Sequence, residues 1–136
     1  MISAVLDTNV VVSGQLRTKG IPAQVSDLAL ARRFRCFVSE SLVSEYQAVL
    51  LRPRFGFSAK DVAELMQALR RIAILVSPRK QVTVALDPND NHILECALEA
   101  RADYIVTGNI RHFPAQFQDI RIITPRQFLT IFASRL

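Results

Sequence analysis

The chain has 136 residues, 50% hydrophobic and 21% charged, which suits one folded domain with a real core and excludes a disordered or fibrous chain. Its 17 basic residues, 14 of them arginine, outnumber 12 acidic ones for a net charge of +5. That balance admits a phosphate-bearing partner and serves an acidic protein equally well. No apolar run approaches the ~20 residues of a membrane span.

The N-terminus, "MISAVL", lacks the charged and long apolar regions of an export signal, so a soluble, cytoplasmic protein without membrane contact is expected. Cys36 and Cys96 stand at neither metal-ligand nor disulfide-framework spacing and read as small buried hydrophobes.

Short runs rich in Val and Ile alternate with segments of helical period, the pattern of a parallel α/β fold in one unit spanning 1–136. The first predicted strand is Ile2–Leu6. It runs into "DTNVVVSG", where Asp7 is followed by Thr8, Asn9 and a second apolar run, with Asn9 expected to fix the turn after the strand. Pro22 opens a helix carrying Val25, Leu28, Ala29 and Arg32 at helical spacing. A strand follows at Arg35–Val38. In "SESLVSEYQAVL" (39–50), Leu42, Tyr46, Val49 and Leu50 form an apolar stripe with Glu45 at its edge, about 40° from Val49. Pro53 and Gly56 make "LLRPRFGFS" (50–58) a loop.

Ser58, with Asp61 three residues later, resembles a capping box before the stripe Val62, Leu65, Met66 and Leu69. A strand at Ala73–Val76 precedes "DPNDNHILECALEAR" (87–101), read as one helix with Asp87 as N-cap and Pro88 in first position. Strands at Asp103–Thr107 and Arg121–Ile123 follow. Thr124 and Gln127 then form a capping box, with Pro125 between them, for a last helix through Phe128, Leu129 and Phe132.

Ligands of open parallel sheets gather beyond the carboxyl ends of the strands, which turns the acids into a test. Asp7 lies at that edge. Asp90 shares a helical face with Ile93, Leu94 and Ala97, so its carboxylate points inward, whereas His92, Glu95 and Glu99 fall on the polar face. Each acid also has a plain structural role open to it: Asp90 as a helix-dipole partner, Glu45 as a solvated edge residue. Taken together, Asp7, Glu45 and Asp90 make an all-oxygen set without His or Cys, suited to Mg²⁺ or Mn²⁺ rather than zinc. Their mutual repulsion is what a cation would relieve.

The segments "VLDTNVVVSG", "FVSESLVSEYQAVLLRP", "DPNDNHILECALEARADYIVTGN" and "ITPRQFL" resemble, in order and spacing, the PIN-domain nucleases, in particular the VapC-type toxins of toxin–antitoxin pairs. The resemblance implies a three-layer α/β/α sandwich with a parallel, Rossmann-like sheet and a Mg²⁺-dependent endoribonuclease. It also implies a homodimer and a cognate antitoxin. On it, Asp7 matches the first acid of the family, Glu45 the helical glutamate and Asp90 the third acid. Asn109, in "VTGN", stands where the family has a fourth acidic position. Asparagine keeps an oxygen there and loses a charge, which weakens a second metal site.

Thr8 and Asn109 then become candidates for positioning the coordination shell or a phosphate. Arg111, His112 and the arginines of "LLRPRF" are candidates for RNA contact, with solvated loop residues as the plain reading. Arg32, Arg33 and Arg35 read equally as a solvated helix end. An aspartyl phosphotransferase would need a second acid two residues after Asp7, where Asn9 stands. A degenerate PIN-like domain that binds RNA or a protein without cleaving is the alternative that Asn109 leaves open.

Overall fold

The computed structural model describes residues 1–135, Asn89 for its backbone alone; Leu136, the last residue of the expected domain, lies outside them. Six strands form one sheet in the order β3-β2-β1-β4-β6-β5. They are β1 (Ser3–Leu6), β2 (Arg35–Val38), β3 (Ile74–Leu75), β4 (Tyr104–Val106), β5 (Gln116–Phe117) and β6 (Ile120–Ile123). The helices are α1 (Thr8–Leu16), α2 (Ile21–Leu30), α3 (Glu40–Leu50), α4 (Ala59–Ile72), α5 (Asn91–Ala100) and α6 (Pro125–Ala133). Among the described residues no helix is long and apolar enough to cross a membrane.

All pairings are parallel except β5 with β6. The sheet is thus mostly parallel, with one antiparallel edge strand. Its tight turn at Gln118, which takes a left-handed φ of 53°, carries neither Gly nor Asn-Gly, so the usual hairpin signal is missing. β1 and β4 are buried along their whole length, as strands covered on both faces must be.

From β1 the chain steps outward to β2 and β3, then returns across the sheet to β4. Right-handed crossovers put helices of opposite steps on opposite faces, so α1 to α4 cover one face and α5 the other, where it packs on β1, β2 and β4. This is the three-layer α/β/α sandwich. α6 packs on α2, with Phe128 edge-on to Phe34 at 4.8 Å between ring centroids.

The run after Asp7 is the helix α1, which its Val10-Val11-Val12 triplet conceals, because β-branched residues favour strands. Val10, Val11 and Val12 are all buried, and burial overrides intrinsic preference. Gly14 allows α2 to approach: a Cβ there would lie 3.0 Å from Ser26 Oγ and 3.4 Å from Ala23 Cα. Asn9 therefore sits in a first helical turn and not in a loop. The caps at Ser58 and Thr124 form as predicted, the second as a reciprocal box with Gln127.

The helix expected over 87–101 is shorter. Pro88–Asp90 is a 3₁₀ turn, closed by the Asp90 N–H on the Asp87 carbonyl (2.9 Å), and Asp90 rather than Asp87 is the N-cap of α5. The face of α5 taken as solvated is covered in part. Asn91, Glu95 and Glu99, one turn apart, accept the backbone N–H groups of Ala85, Val82 and Arg79. Residues 79–85 thus form a strap running antiparallel along the helix. Cys36 and Cys96 are buried and free, their thiols pushed up to about 12 by burial.

Candidate functional site

The strand order reverses direction between β1 and β4, the place where open α/β sheets leave a crevice for ligands. Asp7 follows β1 at this point, its N–H donating to the Val106 carbonyl (2.9 Å) and its side chain only 4% exposed. The carboxylate is held on one oxygen. Thr107 Oγ1 donates to Oδ2 at 2.6 Å and Asn9 Nδ2 donates to the same atom at 2.8 Å. Asn9 Oδ1 in turn accepts the Gly108 N–H (2.9 Å), so one amide ties the start of α1 to the turn after β4. A Cβ at Gly108 would stand 3.2 Å from that oxygen. Thr107, fully buried at the end of β4, also accepts the Asn109 N–H at 3.0 Å.

Glu45 projects from α3 to the same edge, where the Thr8 hydroxyl donates to its Oε2. One residue on, the buried Tyr46 hydroxyl donates to the Leu6 carbonyl, anchoring α3 to the end of β1 beside Asp7. Asp90 faces inward on the face predicted, with Ile93, Leu94 and Ala97 buried behind it. It remains 16% exposed and lies 3.7 Å from His112 Nδ1.

The electrostatics link these acids. Burial raises the pKa of Asp7; hydrogen bonds from Thr107, Thr8 and Asn9 oppose the rise and the charge of Glu45 adds to it. Asp90 is raised to about 6, first by burial, then by the charges of Asp7 and Asp87, with His112 pulling the other way and Glu45 adding a smaller rise. The charge of Glu45 thus bears on Asp7, and the charges of Asp7 and Glu45 bear on Asp90, at this edge of the sheet. Asn109 joins them through its N–H on Thr107, its own residue exposed at the rim.

The other sequence candidates divide. His112 is drawn beside Asp90, and Arg111 next to it is exposed. Arg35 begins β2 and pairs in register with Ser3 at the start of β1; Arg32 and Arg33 precede it. All three therefore sit at the opposite rim from Asp7. They hold structure there, Arg32 on the Arg71 carbonyl, Arg35 on the Met1 carbonyl and Arg33 against the Phe132 ring.

Sequence reasoning passed over Thr107 as a site residue, although a hydroxyl ending an all-apolar strand opposite Asp7 was the available signal. Asp103 shows the contrast. At the far end of the same two strands it accepts the Ser3 N–H (3.0 Å) and hydroxyl (3.2 Å), a carboxylate used for structure alone.

The family profile for PIN domains matches residues 3–111, most of the chain and every residue of the crevice. The chain belongs to the PIN-domain family. An uncharacterized protein of Methanocaldococcus jannaschii is 23% identical over 143 aligned positions, covering 96% of this chain and 92% of that protein. Among solved structures, VapBC-1 from nontypeable Haemophilus influenzae superposes with a TM-score of 0.63 at 18% identity, over 92% of this chain and 99% of that one. At that identity the likeness speaks for the fold. PIN domains are generally nucleases that use divalent metals, which makes this chain a hydrolase by family.

Among the described residues no three His, Cys, Asp or Glu side chains form a ready-made cage for an ion. The donor chemistry nevertheless fits a hard cation: three carboxylates at one sheet edge, and an Asp90 whose pKa burial, then the charges of Asp7 and Asp87, raise to about 6.

Proposed function

We propose that residues 1–136 form a Mg²⁺-dependent endoribonuclease domain, with Mn²⁺ an alternative ion, acting as the cytoplasmic toxin of a toxin–antitoxin pair. The observation that carries the reading is the convergence of Asp7, Glu45 and Asp90 at the switch point of a PIN-domain sheet, where the charge of Glu45 adds to the raised pKa of Asp7 and the charges of Asp7 and Glu45 add to that of Asp90. The fold likeness to VapBC-1 supports an antitoxin partner, and a homodimer goes with that reading.

When bound, a divalent cation would offset the repulsion among the acids and supply Lewis-acid activation of water and phosphate. Asp7 and Asp90 would hold it directly, with Glu45 reaching it through water or orienting the attacking water. Thr107 and Asn9 keep Asp7 pointed by fixing Oδ2, so that Oδ1 lies outside both bonds. Thr8 holds Glu45 in reach of the same space. Asn109 sets a neutral amide where the family has its fourth acid, which favours one tightly held ion over two. Arg111, exposed at the rim, would contact the phosphate backbone.

The experiment is cleavage of a mixed RNA pool by the wild-type chain with Mg²⁺, by the same chain with EDTA, and by Asp7→Asn with Mg²⁺. Cleavage in the first alone is expected; equal degradation in all three would defeat the nuclease reading. The substitution of Asn109 for an acid favours one second reading, a degenerate domain that binds without cutting. RNA retention with no cleavage under any metal would establish it. Sequencing the RNA ends produced on expression would name the target.

A further inference from the structure

The loop 51–58 joins α3 to α4 and is built to present its side chains. Pro53–Phe55 forms a 3₁₀ turn, closed by the Phe55 N–H on the Arg52 carbonyl (3.0 Å) and the Gly56 N–H on the Pro53 carbonyl (3.1 Å). Gly56 leaves the turn at φ 71°, and a Cβ built there meets nothing within 4 Å, so open space lies beside Gly56 itself. Phe55 and Phe57 are half-buried and pack against the core. Their rings lie 6.3 Å apart at only 27° to one another. The Arg54 guanidinium sits over the Phe55 ring, 4.7 Å from its centroid. Arg52 and Arg54 are exposed, and among the described residues neither lies within 4 Å of a carboxylate.

We propose that Arg52, Arg54, Phe55 and Phe57 form a docking platform for single-stranded RNA, separate from the carboxylate crevice; RNA as the partner rests on the nuclease reading above. Two near-parallel rings capped by a planar cation are the surface on which a nucleobase stacks, and unpaired arginines take the phosphates beside it. An acidic peptide would need only the charges, and would leave the aromatic pair and the stacked guanidinium without a role. The spacing fits as well. Arg52 follows Glu45 by seven residues along α3 and its end, about 10 Å at the helical rise, a distance one strand can bridge while a neighbouring phosphate lies at the acids.

The test measures affinity of an unstructured RNA in EDTA, in an Asp7→Asn background that cannot cut, across a series of salt concentrations. The paired substitution Arg52→Gln with Arg54→Gln is expected to weaken binding about tenfold and flatten the salt slope by about 1.4, as two lost phosphate contacts on a single strand require. The paired Lys substitution is expected to keep the slope and still lose several-fold, because ammonium groups carry the charge but not the stacking plane. Circular dichroism checks that both variants fold. An unchanged affinity and slope in the folded Gln pair overturns the proposal, as does full retention of affinity in the Lys pair. A wild-type chain that leaves RNA uncut with Mg²⁺ while these differences persist would remove the nuclease reading and keep the platform.

Discussion

Changing Asp90 to Asn removes a carboxylate that folding makes harder to ionise. Its pKa of about 6 in the folded chain, against 3.8 ordinarily, means that the folded state holds a proton which the unfolded state releases. Stability therefore falls as pH rises from about 4 through 6, and stays low above. The rise corresponds to about 3 kcal/mol at its limit. The carboxylate keeps some contact with water, and screening reduces the figure to about 1.5 kcal/mol.

Asp90→Asn in EDTA should thus be more stable than wild type by about 1.5 kcal/mol at pH 7.5, roughly 5 °C in Tm for a chain this size. The two should draw close at pH 4, where Asp90 is neutral in the folded state and only partly ionised in the unfolded one. Mg²⁺ should raise the wild-type melting temperature at pH 7.5 and leave the variant nearly unmoved, since only a ligand of the folded state stabilises it. Thermal melts over pH 4 to 7.5, with EDTA and with Mg²⁺, measure all of this. A variant less stable than wild type by the same amount at every pH would refute the account, and would make Asp90 a structural cap.

Thr107→Val leaves the Asp7 Oδ2 with one partner fewer and the Asn109 N–H without its acceptor. A loss of about 1–3 kcal/mol by urea denaturation is expected, with a fall in cleavage rate larger than the loss of folded protein explains. Asn109→Asp restores an acid at the family's fourth position, and calorimetric titration should show tighter Mn²⁺ binding, with lower stability in EDTA from the added repulsion. Glu95→Ala removes the acceptor of the Val82 N–H, so hydrogen exchange at Val82 should speed up while amides in the middle of β1 keep their protection.

The candidate acids were legible because each lies in a local pattern. A strand ending in an acid, an apolar stripe with Glu45 at its edge and a helix face shared by Asp90 and three apolar residues each follow from periodicity within a dozen residues. The parallel α/β class followed from the same alternation. α1 was hidden because its valines carry the local preference of a strand, and only burial on both sides turns them helical. The β5–β6 edge was hidden because its turn residue, Gln118, tolerates a conformation that its type does not announce.

Distance along the chain concealed the rest. Thr107 meets Asp7 across 100 positions, Thr8 meets Glu45 across 37, and the N–H groups of 79–85 find acceptors on a helix whose outer face reads as solvated. The sequence determined which groups carry charge and which face of each element they take. Tertiary structure decided which of them meet, because burial in a shared crevice, not residue type, raises Asp90 to about 6 and leaves Asp103, with the same side chain, as a clasp on Ser3.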